Sequence, residues 1–184
     1  DLIKELIVVR EADAAKDSVL QLLGRITSQH DVYDICRAAV EGIRELMGFE
    51  RAGLFLWDDA IKKFRGTFGT DMDLKTTDER HYIIEVPPGS PEERIVTGSI
   101  IERGCKLGSP EPRPGEEAIT ADLLGLRVEG RLYGLLSVDN RLSRRPISDR
   151  ELGYLALVSQ VLGNALDISR TRAALTQSEE RFRQ

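Results

Sequence analysis

A capping box at Ser148 and Glu151, placed just after Pro146, opens a stretch that meets no further proline through Arg183. At ~1.5 Å per residue, a helix over that stretch is about 50 Å long. One small sheet cannot cover such a length. The first half, with Leu152, Leu155, Leu162 and Leu166, is expected to pack on a domain, and the second half to leave it. From Ser169 to Gln184 the only apolar residues are Ala173, Ala174, Leu175 and Phe182. A lone helix gains little from burying these, so it needs a partner chain or a following domain.

The other end of the chain has a similar surplus. Leu2, Leu6, Val9, Leu20 and Leu23 follow alternating steps of four and three, with Asp13 and Lys16 at the two intervening seam positions. This predicts one helix over the first thirty residues, either as a seam with a second copy of the chain or as a helix lying on its own domain. The helices expected to form a homodimer carry Leu6, Val9, Leu20 and Leu23 at the entry and Leu155, Leu162 and Leu166 at the exit.

The 184 residues carry 26 basic and 31 acidic side chains, interspersed, for a net charge of -5. That balance argues against a nucleic-acid stripe and against an anchor to acidic membrane. No run of about 18 uncharged apolar residues is present, and nothing resembles a leader, so a soluble cytoplasmic domain is expected, with a parent protein that is free to be membrane-attached. Cys36 and Cys105 cannot build a disulfide framework, and His30 and His81 offer no zinc spacing.

Between the ends, Asp31 reads as an N-cap for an amphipathic helix that buries Ile35, Cys36, Ala39, Val40 and Ile43 and stops at Gly48. Cys36 is then a small core hydrophobe rather than a reactive thiol. From Ala52 the period becomes two, giving a strand to Trp57, a turn at Asp58 and Asp59, and a return strand from Lys63 to Gly69. That strand is expected to set Phe64, Gly66 and Phe68 on one face and Arg65 and Thr67 on the other. A third strand runs from His81 to Val86. Ser90, Pro91 and Glu93 start a short helix that ends at Gly98. Three prolines and three glycines between Gly104 and Glu117 predict a loop, plausible as a lid. Strands around Leu124–Val128 and Leu132–Val138 turn through Glu129 and Gly130.

The order helix, helix, hairpin, strand, short helix, proline-rich loop, hairpin, long helix resembles the GAF domain, a small-molecule sensor module of signalling proteins. The stretches "GRLYGLLSVDN" (130–140) and "ISDRELGYLALVSQVLGNAL" (147–166) carry the resemblance. It implies an α+β fold, related to PAS and profilin-like architecture. A central antiparallel sheet of about six strands would have the N- and C-terminal helices on one face and a pocket under loops on the other. It also implies a linker helix over 1–17, a sensor domain over 18–169 and an exit helix over 170–184. "SEERFR" (178–183) resembles the lead-in to a PAS domain, which would make the parent a bacterial sensor of the histidine kinase or diguanylate cyclase type.

Chemistries found among GAF relatives match this sequence poorly. The cyclic-nucleotide motif of Asn, Lys, Phe, Asp and Glu is met loosely by Asn140 and Arg141, with Ile147 in place of the Phe. Bilin attachment uses a cysteine usually followed by histidine, whereas Lys106 follows Cys105. Haem needs an axial histidine, for which His81 is a poor candidate. Methionine sulfoxide reduction needs a resolving thiol that Cys105 lacks. The resemblance therefore implies a non-catalytic fragment with no covalent bilin, haem or metal. A polar set of Arg65, Thr67, Asp71, Arg80 and His81, walled by Phe55 and Trp57, is the candidate site for a small anionic or polar ligand. Solvated hairpin ends and surface ion pairs account for the same residues. The function expected is regulatory sensing relayed through the terminal helices to a downstream PAS, kinase or cyclase domain, or else ligand-free dimerisation and relay.

Overall fold

Spacing of three and four gives way to spacing of two at Gly48, and the backbone changes with it. A computed structural model describes residues 2–107 and 119–182 and, within them, every side chain except those of Leu2, Glu5, Leu6, Ile7, Val9, Ala12, Leu107 and Ile119. Helices α1 (Leu2–Thr27) and α2 (Val32–Met47) come first. The Asp31 carboxylate accepts from the backbone N–H groups of Tyr33 and Asp34, satisfying two donors that the start of α2 leaves open. Gly48 ends α2 in left-handed backbone at φ 76° and donates its N–H to the Arg44 carbonyl.

Six strands then build one antiparallel sheet, β1 (Arg51–Asp58), β2 (Lys63–Gly66), β5 (Ile83–Ile84), β6 (Ile101–Leu107), β7 (Ile119–Val128) and β8 (Arg131–Asp139), in the order β5-β2-β1-β8-β7-β6. A separate pair, β3 (Phe68–Thr70) and β4 (Thr76–Asp78), lies beside it. Helix α3 (Pro91–Thr97) precedes β6, and α4 (Asp149–Phe182) closes the chain. The β7–β8 turn uses Glu129 and Gly130 at φ 48° and 81°, the twist-matched hairpin geometry. The fold is α+β with flanking helices, as the sequence implies.

Helices α1, α2 and α4 cover one face of the sheet, burying Leu22, Ile26, Val40 and Leu162 against Leu54 and Leu136. Helix α4 begins with a reciprocal cap, in which Glu151 N–H donates to Ser148 Oγ and Ser148 N–H donates to Glu151 Oε2. Its first half is consumed by this core, and Leu155, Leu162 and Leu166 are fully buried. These three leucines are therefore already packed within their own chain and have no surface to offer a partner. In α1 the buried residues are Val19, Leu22 and Ile26, while Leu20 is 65% exposed and Leu23 half-buried, so the predicted seam and the core-facing stripe are different faces. The side chains of Leu6 and Val9 lie outside the described residues.

Three sequence expectations need correction. The return strand breaks at Thr67, because both its N–H and its Oγ1 donate to the Leu54 carbonyl at 3.0 and 2.7 Å, turning the side chain into the core instead of outward with Arg65. The strand from His81 shrinks to Ile83–Ile84, since Tyr82 N–H is used by a turn to Glu79. Strand β6 continues through Leu107, where a loop was expected from Gly104. A bulge between Glu102 and Cys105 absorbs Gly104 at φ 58°, and its N–H donates to Asp122. The rest of the expected lid, residues 108–117, lies outside the described residues. Among the described residues no helix is long and apolar enough to cross a membrane.

Candidate functional site

The face of the sheet away from the long helices carries a second apolar cluster, with Phe64, Leu123 and Leu135 fully buried and Ile95 of α3 packed over them. Ser90 caps α3, and Arg127 ties its other end down by donating to the carbonyls of Ile95, Val96 and Gly130. Burial of this guanidinium lowers its pKa, and its Nε has no hydrogen-bond partner among the described residues.

Between α3 and the sheet lies a cleft of about 550 Å³, lined by Trp57, Val86, Glu93, Val96, Arg127 and Leu132 among others. Trp57 forms its wall by packing edge-on against Phe64, with centroids 5.0 Å apart, and its Nε1 donates to Asp59. Lys62 also donates to Asp59, and these bonds hold that carboxyl below its usual range. The lining combines an apolar wall with a few charged groups, a composition suited to holding a small molecule.

A second cleft, of about 460 Å³, opens on the helix side of the same sheet end, where Arg65, Arg131 and Arg170 meet Tyr33, Leu56 and Asp58. A bulge in β8 lies beside it. The β7–β8 register shifts between Leu126 and Arg127, leaving Tyr133 as the extra residue, and its ring turns toward α4. The Tyr133 hydroxyl donates to Asp167, which raises the pKa of the phenol.

The chain's match to a protein-family model decides what this architecture is: residues 31–166, more than half of the chain, match the GAF domain. The chain belongs to the GAF family. A GAF domain is a regulatory sensor module of signalling proteins and is generally non-catalytic. Solved structures agree on the fold. A methyl-accepting chemotaxis protein (residues 122 to 287) superposes with TM-score 0.66 at 18% identity, covering 82% of this chain and 97% of that one. The GAF domain of a phosphoenolpyruvate-protein phosphotransferase from Coxiella burnetii gives 0.71 at 12% identity, covering 89% and 98%. No curated protein sequence matches the chain.

A third similar structure is a far-red absorbing dark state with bound biliverdin, with TM-score 0.58, 13% identity and coverage of 82% and 98%. It corrects the expectation that bilin is foreign here, because a chain of this same fold holds one. Bilin binding by this GAF domain is not established by a likeness at that identity. Cys36 and Cys105 line neither cleft described above, and desolvation pushes their thiols up to about 12 and about 11.

The residues expected from sequence to form one site do not converge. Trp57 and Arg65 line the helix-side cleft, and Trp57 the other as well. Phe55 packs into the open-face cluster. Thr67 is structural, as is Asp71, whose carboxylate accepts from the N–H groups of Asp73 and Lys75 in a local turn. His81 is exposed against Tyr82. Arg80 pairs with Asp78 and stacks over Tyr33 at 5.3 Å. Arg127, Arg131, Tyr133 and Arg170 were not expected. Arg131 and Tyr133 alternate on a strand, but no local spacing connects them to α4.

The Arg80 pair has a pH consequence. Hydrogen bonds from Arg80 lower the Asp78 pKa from 3.8 to about 2. Since the folded value lies below the unfolded one, the pair stabilises fully above the unfolded value and is lost as pH falls through the folded value. Asp78→Asn is therefore expected to flatten the fall in Tm between about pH 4 and about pH 2 while leaving its shape at neutral pH unchanged, as thermal melts across that range will read.

Proposed function

We propose that this GAF domain senses a small molecule in the cleft between α3 and the sheet, and passes its occupancy through α4 to an output domain in a longer cytoplasmic signalling chain. The observation that carries this reading is the division of α4. One face of it is buried as far as Ser169, and it is then exposed on all sides from Thr171 to Phe182. A rigid element that starts in the sensor core and leaves it is suited to transmit a shift. The outer face of α4 repeats every seven residues at Val161, Ile168, Leu175 and Phe182, with exposures of 50%, 60% and 89% for the last three. We assign that face to a second copy of the chain. In a parallel pair, Asp167 would lie beside the partner's Arg172, a complementary flank to the seam. "SEERFR" at 178–183 supports a PAS domain next, and with it a parent of the histidine kinase or diguanylate cyclase type.

The competing reading is ligand-free dimerisation and relay. It draws support from the complete burial of Phe64, Leu123 and Leu135 by the domain's own side chains. Thermal melts of the domain against nucleotides and small carboxylates separate the two readings. A saturable rise in Tm with one class supports sensing. Uniform silence across the set, with an intact dimer, favours the relay.

A further inference from the structure

We infer that Met72 is a modification site: hydrogen peroxide oxidises its thioether to the sulfoxide, and Arg141 then holds the new oxygen, fastening the β3–β4 turn to the end of β8. The contacts of the sulfur lead there. Met72 lies in the turn between β3 and β4 and is 51% exposed, so peroxide reaches its side chain. Arg141 Nη1 approaches the Met72 Sδ at 3.2 Å, and Arg51 Nη1 approaches it at 3.6 Å. A thioether is a weak acceptor, so two cationic donors converge on an atom that satisfies them poorly. Among the described residues this sulfur is the one hydrogen-bond partner of the Arg141 guanidinium, which forms no ion pair. Arg51 stands 3.7 Å from Asp139, beyond hydrogen-bond reach, and its Nε has no hydrogen-bond partner among the described residues.

Oxidation changes the acceptor. One peroxide oxygen bonds to Sδ as the O–O bond breaks, the sulfur gives up two electrons, and the other oxygen leaves as water with both protons. The oxygen now on sulfur is polar, and a hydrogen bond to it from a guanidinium is charge-assisted, roughly twice as strong as one between neutral groups. The flexible methionine side chain, already in contact with Arg141, needs only small rotations to present that oxygen to it. The other sulfur-bearing side chains are shielded. Met47 is the only other methionine and packs against the core, and Cys36 and Cys105 are buried.

The location gives the modification a consequence. Arg141 follows Asn140, whose side chain accepts from the Glu50 N–H and donates to the Arg145 carbonyl, and the Glu50 carboxylate accepts from the N–H groups of Leu142 and Ser143. This braced segment leads into α4, so a bond at Arg141 is made at the root of the exit helix. Met72, Arg51 and Arg141 line neither cleft, and the site stands whatever those clefts bind.

Dilute hydrogen peroxide followed by peptide mass mapping is expected to place one oxygen on Met72 before any on Met47. Methionine oxidation commonly destabilises a protein, whereas here thermal melts of the singly oxidised chain should show Tm raised by about 2–4 °C. Arg141→Ala, oxidised to the same extent, should lose most of that rise. Met72→Leu under the same treatment should show none, which ties the rise to this sulfur. An unchanged or lowered Tm with Met72 oxidised, oxygen appearing first on Met47, or a rise that persists in Arg141→Ala would overturn the site.

Discussion

Gly134→Val is expected to destabilise the domain by about 3 kcal/mol or more, enough to leave a small domain largely unfolded at ambient temperature. Gly134 lies in β8, paired to Leu56 on one side and to Leu126 on the other. A Cβ there would stand 2.4 Å from the Phe55 carbonyl oxygen and 3.3 Å from Leu126 Cδ1. The first neighbour is backbone in the next strand and cannot rotate away, so β1 and β8 must separate where the sheet is most deeply buried. Gly153→Ala is the control. Its Cβ meets nothing within 4 Å, and replacing an exposed helical glycine should stabilise α4 by about 0.5–1 kcal/mol. Urea unfolding of the three proteins measures both effects. A Gly134→Val protein as stable as the control would contradict the packing described for the central strands.

On the proposed seam, Leu175→Glu is expected to shift the domain from dimer to monomer at the same concentration while the monomer still melts cooperatively as a folded domain. Leu175 is 60% exposed and lies seven residues from Ile168 and from Phe182, beyond the last buried turn of α4. It contributes nothing to the domain's own core. In a two-stranded seam, its replacement removes two buried leucines at about 1.5–3 kcal/mol each and sets two carboxylates against each other, weakening association by about a hundredfold or more. Sedimentation velocity with a parallel thermal melt separates this from unfolding.

Much of the fold was legible because its signals are local. Asp31, Gly48, Ser90, Ser148 and Glu151 act as caps through bonds within four residues of themselves, and the turn at Glu129 and Gly130 needs only their own backbone angles. The break at Thr67 was not legible, since it comes from a tertiary bond to Leu54, thirteen residues away. The bulges at Gly104 and Tyr133 likewise depend on the partner strand. The helix-side cleft was hidden for the same reason, because Arg65, Arg131 and Arg170 come from β2, β8 and α4 and share no period. The outer stripe of α4 is a different case. Val161, Ile168, Leu175 and Phe182 are visible in the sequence at intervals of seven, but the stronger stripe of Leu152, Leu155, Leu162 and Leu166 on the same helix masks them. That stripe proved to be the domain's own core.

The claim that α4 leaves the domain as a dimer seam is tested most directly by cysteine cross-linking along its exposed half. Single cysteines are placed in turn at positions 168 to 182 and oxidised gently. Cys36 and Cys105 do not interfere, because both are buried and their thiols are raised to about 12 and about 11. Cross-linked dimer is predicted to peak at 168, 175 and 182 and to fall to background at 173 and 180, on the opposite side of the helix. A flat profile, or peaks that do not recur every seven residues, would contradict it.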